Sequence, residues 1–289
     1  MTSDDDLARR VDAAQSILSS AAADQARSLE RAVAASCAAT AHAMARMDPA
    51  SGASVLEVAG GLAIFAGPGS PLTQGLAMGL HGPVTAGDLD AMERQLLPRD
   101  SGTCQLEVCP FVDPTLFALL ARRGYVVHEW QLVWTCALSE PTQAPLHAPD
   151  PALTVRRVRP DEHDAFFRCV LAGFLESEHV PDEAVATMLP TAFAEGYELF
   201  AALVGDEAVG GGTLACSGGV ALIAGSGVRP AFRRRGAQGA LLRARLDRAR
   251  ELGCAVAYSA TLPGTSSRRN MERHGFQVAY PKLVMLKAG

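Results

Sequence analysis

Lysine is nearly absent from this 289-residue chain: Lys282 and Lys287 are the only two, so almost all of its 26 basic residues are arginine. That scarcity excludes a P-loop, because no GxxxxGK(S/T) run can form, and no GxGxxG dinucleotide fingerprint occurs either. No apolar run reaches the roughly 18 residues that span a bilayer. The opening MTSDDDLARR is acidic where a targeting segment would be basic, so a soluble, cytoplasmic protein is expected. A net charge of -5 offers no general attraction to nucleic acid or acidic membranes, and neither is expected as a partner. The seven cysteines are scattered without a CxxC pair or nearby histidines at ligand spacing, so they read as small, reduced, buried hydrophobes and no metal is expected.

What the chain does have is VRPAFRRRGAQGALL, from Val228 to Leu242. A strand end passes through an arginine and glycine turn straight into a helix. Free N–H groups of the first helical turn and the positive end of the helix dipole converge there, and Gly236 lets the main chain approach a ligand closely. Arg233, Arg234 and Arg235 add positive charge, and Leu241, Leu242 and Leu246 are spaced for one buried face. Such a turn is built for an anion. On its own it is a weak signal, since arginines at a helix start are often merely solvated.

The order of these residues resembles motif A of the GCN5-related N-acetyltransferases (GNAT), in which a V..P..R.RG(I/V)G..LL pattern follows the fourth strand and grips the pyrophosphate of acetyl-CoA. Matched by position, Val228 ends the strand, Arg233, Arg235 and Gly236 form the loop with Arg234 between them, and Ala237 takes the small apolar position. Gln238 stands where glycine or alanine is usual, with Gly239 next. The following elements fit: a strand over 255–261, a short helix over 266–274, Gly275 and Phe276 as its stop, then two strand-like runs, 277–280 and 282–287. Upstream, 154–158 reads as the first strand, 161–195 as two helices and 198–228 as strands. The resemblance implies an α/β fold, an α+β mixed sheet flanked by helices, with acetyl-CoA as co-substrate and a primary amine, a small molecule by expectation, as acceptor. Arg233 to Gly239 would hold the cofactor together with Val228, Ser266 and Asn270, and the Val228 backbone N–H would polarise the thioester oxygen.

The residues that move protons are less well marked. Where many relatives carry an acidic tyrosine, this chain has Met271, which cannot protonate a thiolate; Asn270, Ser266, Ser267 and Tyr280 are alternatives. In the loop FLESEHVPDE, Glu176, Glu178 and His179 are candidate bases, and His179 has the useful unperturbed pKa. A non-catalytic acyl-CoA sensor is the second reading, and a scaffold that binds no nucleotide is the third.

The chain also repeats itself. ARRGYVVHEWQLVW lies against ERHGFQVAYPKLVM without a gap, so that Gly124 meets Gly275, Tyr125 meets Phe276 and Leu132 meets Leu283. Both copies are expected to end a helix and begin a hairpin. A strand at 104–109 and a helix at 113–122 precede the first copy, so two tandem acyl-CoA N-acyltransferase-like domains are expected: 1–140, a linker at 141–153 marked by the Pro-rich SEPTQAPLHAPDPA of 139–152, and 154–289. The first copy lacks the anion loop. It reads LHGPVTAGDLDAMERQLL there, with Thr85 as N-cap and Asp88 and Asp90 in the first turn, which satisfies a helix dipole without a phosphate. GPGSPLTQG, at 67–75, is followed by no basic residue and reads as a structural turn. The Ala-rich stretch 7–47 suits one or two amphipathic helices, and the assembly is expected to be a monomer or homodimer.

Overall fold

The computed structural model describes residues 21–67, 69–97, 102–139 and 150–288; residues 7–20 and most of the expected linker lie outside them. The first half runs α1 (Ala21–Met47), β1 (Ser54–Val58), β2 (Gly61–Phe65), β3 (Gln74–Leu76), α2 (Ala86–Leu96), β4 (Thr103–Val108), α3 (Thr115–Arg122) and β5 (Val126–Ala137). The second runs β6 (Leu153–Arg157), α4 (His163–Leu175), α5 (Asp182–Met188), β7 (Tyr197–Val204), β8 (Glu207–Ser217), β9 (Val220–Val228), α6 (Ala237–Glu251), β10 (Val256–Thr261), α7 (Ser266–Arg273) and β11 (Gln277–Ala288). Among the described residues no helix is long and apolar enough to cross a membrane.

All eleven strands join one mixed sheet, in the order β1-β2-β3-β4-β11-β5-β10-β9-β8-β7-β6. Each half has given its last strand to the other. β11 lies between β4 and β5, and β5 lies between β11 and β10. The expected hairpins are therefore corrected: each copy is one 12-residue strand. The physical reason is visible in QVAYPKLVMLKA, which has no Gly, Asn or Asp to make a two-residue turn. A register shift between Val278 and Tyr280 takes up the irregularity as a bulge instead.

The repeat is exact in its local geometry. Gly124 and Gly275 both take left-handed φ, at 81° and 80°. Tyr125 N–H donates to Leu120 O at 3.0 Å, and Phe276 N–H to Met271 O at 3.1 Å, so both helices end in the same glycine-dependent turn. Moved by the interval that separates the two glycines, the pair Gln277 and Thr135 becomes Leu286 and Val126, and both pairs occur. The centre of the sheet is thus a local two-fold axis between β5 and β11.

α1 covers one face of the sheet and packs on both halves; Ala26, Leu29 and Val33 share a core with Leu76, Leu106, Leu222 and Tyr258. On the other face, α6 and α7 bury Leu241, Leu242, Leu246 and Met271 against Ala221, Ile223 and Trp134. α4 lies directly on β9, where a Cβ on Gly227 would overlap the Val170 carbonyl.

Candidate functional site

The parallel ladder between β9 and β10 covers only Val220 to Leu222 against Val256 to Tyr258. Beyond it, β9 continues against β8 and β10 against β5, so the two strands part and leave a cleft edge on β9. Ser259 Oγ donates to Ile223 O at 3.0 Å and closes the vertex. Arg229 N–H donates to Val209 O in the β8 ladder. Alternation along the strand then turns the Val228 N–H toward the cleft edge. A Cβ on Gly173 of α4 would sit 2.6 Å from that nitrogen, so glycine there keeps the amide clear.

Past Val228 the chain makes a single turn, Pro230–Phe232, before α6 begins. Arg234 at φ 64° and Gly236 at φ 85° both adopt the left-handed conformation that aims successive amides to one side. The first closing bond of α6 is Ala240 N–H to Gly236 O at 3.0 Å, and among the described residues no side chain caps the helix. The amides of Ala237, Gln238 and Gly239 are therefore left without intrahelical acceptors. Ala237 itself is buried, Gln238 is half-buried, and a Cβ on Gly239 would meet the His274 ring at 3.3 Å.

The three arginines do not act alike. Arg233 donates to Glu176 Oε1 at 3.0 Å and to Gly173 O at 2.8 Å. Arg235 Nε donates to Asp150 at 2.8 Å, and its guanidinium lies over the Phe232 ring. Hydrogen bonds from Ala152 N–H and Arg235 hold the Asp150 carboxyl below its ordinary range. Only Arg234 is exposed with no partner among the described residues. Arg233 and Arg235 thus brace the turn, and exposed pairs of this kind contribute at most about 1 kcal/mol each.

Glu176 and Glu178, expected as bases, are engaged otherwise: Glu176 holds Arg233, and Glu178 accepts from Arg229 Nε at 2.8 Å. They tie the end of α4 to the end of β9. His179 is exposed, and its backbone N–H donates to Ser177 Oγ at 3.1 Å. Tyr280 is corrected outright as a candidate acid. It lies on β11, two strands from β10, 6% exposed under α1, with its hydroxyl donating to Glu30 at 2.8 Å. Burial, then the Glu30 carboxylate, push its pKa upward.

Ser266 opens α7, and the Asn270 carbonyl accepts from His274 Nδ1 at 2.8 Å. Burial holds the His274 pKa below its ordinary value. Met271 is 7% exposed in the core, at the helix-ending position that Leu120 fills in the first copy. Sequence reasoning missed Gly173, Asp150, Arg229 and His274, whose roles are tertiary contacts with no local pattern.

At the matching place in the first half, the side chains of Thr85 and Asp88 close on the helix start. Asp88 N–H donates to Thr85 Oγ1 at 3.2 Å, and Thr85 N–H to Asp88 Oδ2 at 2.8 Å, a capping box. Arg123 ties Asp90 and Glu93 to the Ala86 carbonyl. Met78 and Met92 crowd Gly75 of β3, leaving no room for even a Cβ there. Residues 69–73 turn the chain into β3, with Thr73 Oγ1 donating to Gly67 O at 3.3 Å.

Residues 158–276 match the model of the acetyltransferase (GNAT) family. No curated protein matches the chain. Among solved structures, the fold is similar to a GCN5-related N-acetyltransferase from Kribbella flavida, at 16% identity, 87% of this chain, 96% of that one and a TM-score of 0.60. It is also similar to one from Sphaerobacter thermophilus, at 19% identity, 70% of this chain and a TM-score of 0.54; the chain spans 65% of that protein's length, just under two thirds. A tandem GNAT protein from the clavulanic acid biosynthesis pathway, solved without AcCoA, is 16% identical, with 70% of this chain and 68% of that one covered and a TM-score of 0.51. At these identities the likeness is one of fold.

Proposed function

We propose that the chain, whose residues 158–276 match the GNAT acetyltransferase family model, transfers an acetyl group from acetyl-CoA to a primary amine at one site in its second half. The observation that carries the proposal is the uncapped start of α6 at the end of a strand that parts from its neighbour. The amides of Ala237 to Gly239 suit the pyrophosphate, with Arg234 as the charge left to meet it. The cleft edge of β9 suits an extended pantetheine arm, and the Val228 N–H is the proposed donor to the thioester oxygen as charge develops there.

In the transfer, the neutral amine attacks the thioester carbon, the C–N bond forms, the C–S bond breaks, and the amine's proton leaves as the thiolate takes one up. Met271 offers no proton, so the thiolate takes its own from water. With Glu176 and Glu178 committed to arginines, His179 is the remaining base candidate. The first half is proposed to be a degenerate copy, with domains at 1–140 and 154–289, because a capping box closes its helix start and Met92 and Leu106 crowd Gly75 of β3.

The test is thermal: saturating acetyl-CoA should raise the melting temperature, and Gly236→Asp should abolish the rise by placing a carboxylate at the anion turn. An unchanged melting curve for the wild type would sink the proposal. Met271 in the core favours a second reading, a non-catalytic acyl-CoA sensor; binding without turnover across a broad panel of amines would select it.

A further inference from the structure

Helix α6 carries a charge on its apolar face. Arg245 sits four residues after Leu241 and four before Ala249, beside Leu242 and Leu246, and is 1% exposed. Its Nε donates to Leu241 O at 3.0 Å within the helix. Its Nη1 donates to Thr213 O of β8 at 3.1 Å and to Ala224 O of β9 at 3.0 Å. Among the described residues no carboxylate offsets it, and burial alone pushes its pKa down, to about 9, which leaves it charged at neutral pH. A buried charge without a counterion is unfavourable, and leucine would fill this helix position more cheaply. Something specific to the place must need a guanidinium.

The place is the β9 bulge. Thr213 pairs with Ala224, but the next pair is Gly211 with Gly227, so Gly225 and Ser226 drop out of register. Gly225 takes φ 54° to make that slip. Gly212 opposite it has no room for a side chain: a Cβ would lie 2.6 Å from Arg245 Cζ and 2.8 Å from Ser226 Oγ. The guanidinium thus fills the hollow of the bulge and holds one carbonyl from each strand at the pair that borders the slip. The bulge begins just past Leu222, where β9 and β10 part. The other end of the same helix is the anion turn.

We infer that Arg245 is a positioning residue that fastens α6 to the β9 bulge and so fixes the vertex of the cleft relative to its phosphate-holding end. This rests on the acyl-CoA reading: a ligand gripped at both ends feels any change in the spacing between them, whereas a ligand gripped at the phosphate end alone does not. Arg245→Met keeps the length and removes the forked donors; Arg245→Lys keeps the charge but can reach fewer carbonyls.

Calorimetry with two probes tests it: acetyl-CoA, and 3′-phospho-ADP, which has the phosphates without the pantetheine arm. The wild type should bind both. Arg245→Met should bind acetyl-CoA about tenfold more weakly and 3′-phospho-ADP within about twofold of wild type, since a small misplacement is felt only where both ends are engaged. Equal losses for the two probes, or no loss for either, would overturn the inference. Should circular dichroism show Arg245→Met unfolded, Arg245→Lys decides, with a selective loss of about threefold or more for acetyl-CoA expected and unselective binding overturning it. A wild type that binds neither probe removes the acyl-CoA reading itself, a result distinct from a selectivity that fails to change.

Discussion

Replacing Lys282 with methionine tests the most consequential tertiary feature, the exchange of last strands. Lys282 on β11 is 2% exposed, and its ammonium meets Glu107 of β4 and, at 3.5 Å, Glu30 of α1. Burial pushes the lysine pKa down, but the two carboxylates outweigh it and hold it well above the ordinary value. One pair at that distance is worth about 5 kcal/mol at an effective dielectric constant near 20. Stranding a buried partner costs about 3–5 kcal/mol in measured cases. At a few degrees per kcal/mol for a large chain, Lys282→Met should lower the melting temperature by about 5–15 °C at pH 8. Adding Glu30→Gln and Glu107→Gln should recover most of the loss. A single variant that melts within about 2 °C of wild type, or a triple variant no better than the single, would refute the reasoning.

Gly227→Ala should destabilise the protein by about 2–3 kcal/mol in urea unfolding, because its Cβ would overlap the Val170 carbonyl and push α4 off β9; a loss under about 0.5 kcal/mol would contradict that packing. Burial pushes the Cys37 and Cys109 thiols up to about 12, so at pH 8 a thiol reagent should leave both unmodified in the native protein and reach all seven cysteines after denaturation; rapid native labelling of Cys37 would count against its burial. His274 is held below its ordinary pKa by burial. The unfolded chain therefore binds the proton first as pH falls below about 6.5, and the stability due to neutral His274 is lost on the acid side. His274→Asn, which can still donate to Asn270 O, should melt with a flatter pH dependence between 7 and 5, and parallel curves would show that the ring is not desolvated.

Much of the second half was legible in the sequence because its information is local. A helix that starts after Gly236, a strand that ends at Val228 and a helix stopped by Gly275 are each decided by propensity, capping and φ > 0 within a few residues, and all three are found. Arg245 left a trace that could have been read, a charge in the line of Leu241, Leu242 and Leu246. Glu176, Glu178 and Asp150 left none, since each meets an arginine more than fifty residues away.

The sequence by itself determined the arginine and glycine turn before α6, the order of elements in the second half and the repeat centred on Gly124 and Gly275. Tertiary structure alone decided where the repeated strands go. A strand's edge hydrogen bonds are the same whichever neighbour supplies them, and two copies of one pattern fit each other's places as well as their own. The choice falls to contacts distant in sequence: Lys282 on Glu30 and Glu107, Tyr280 on Glu30, and α1 lying across both halves. That choice carried Tyr280 away from the cleft.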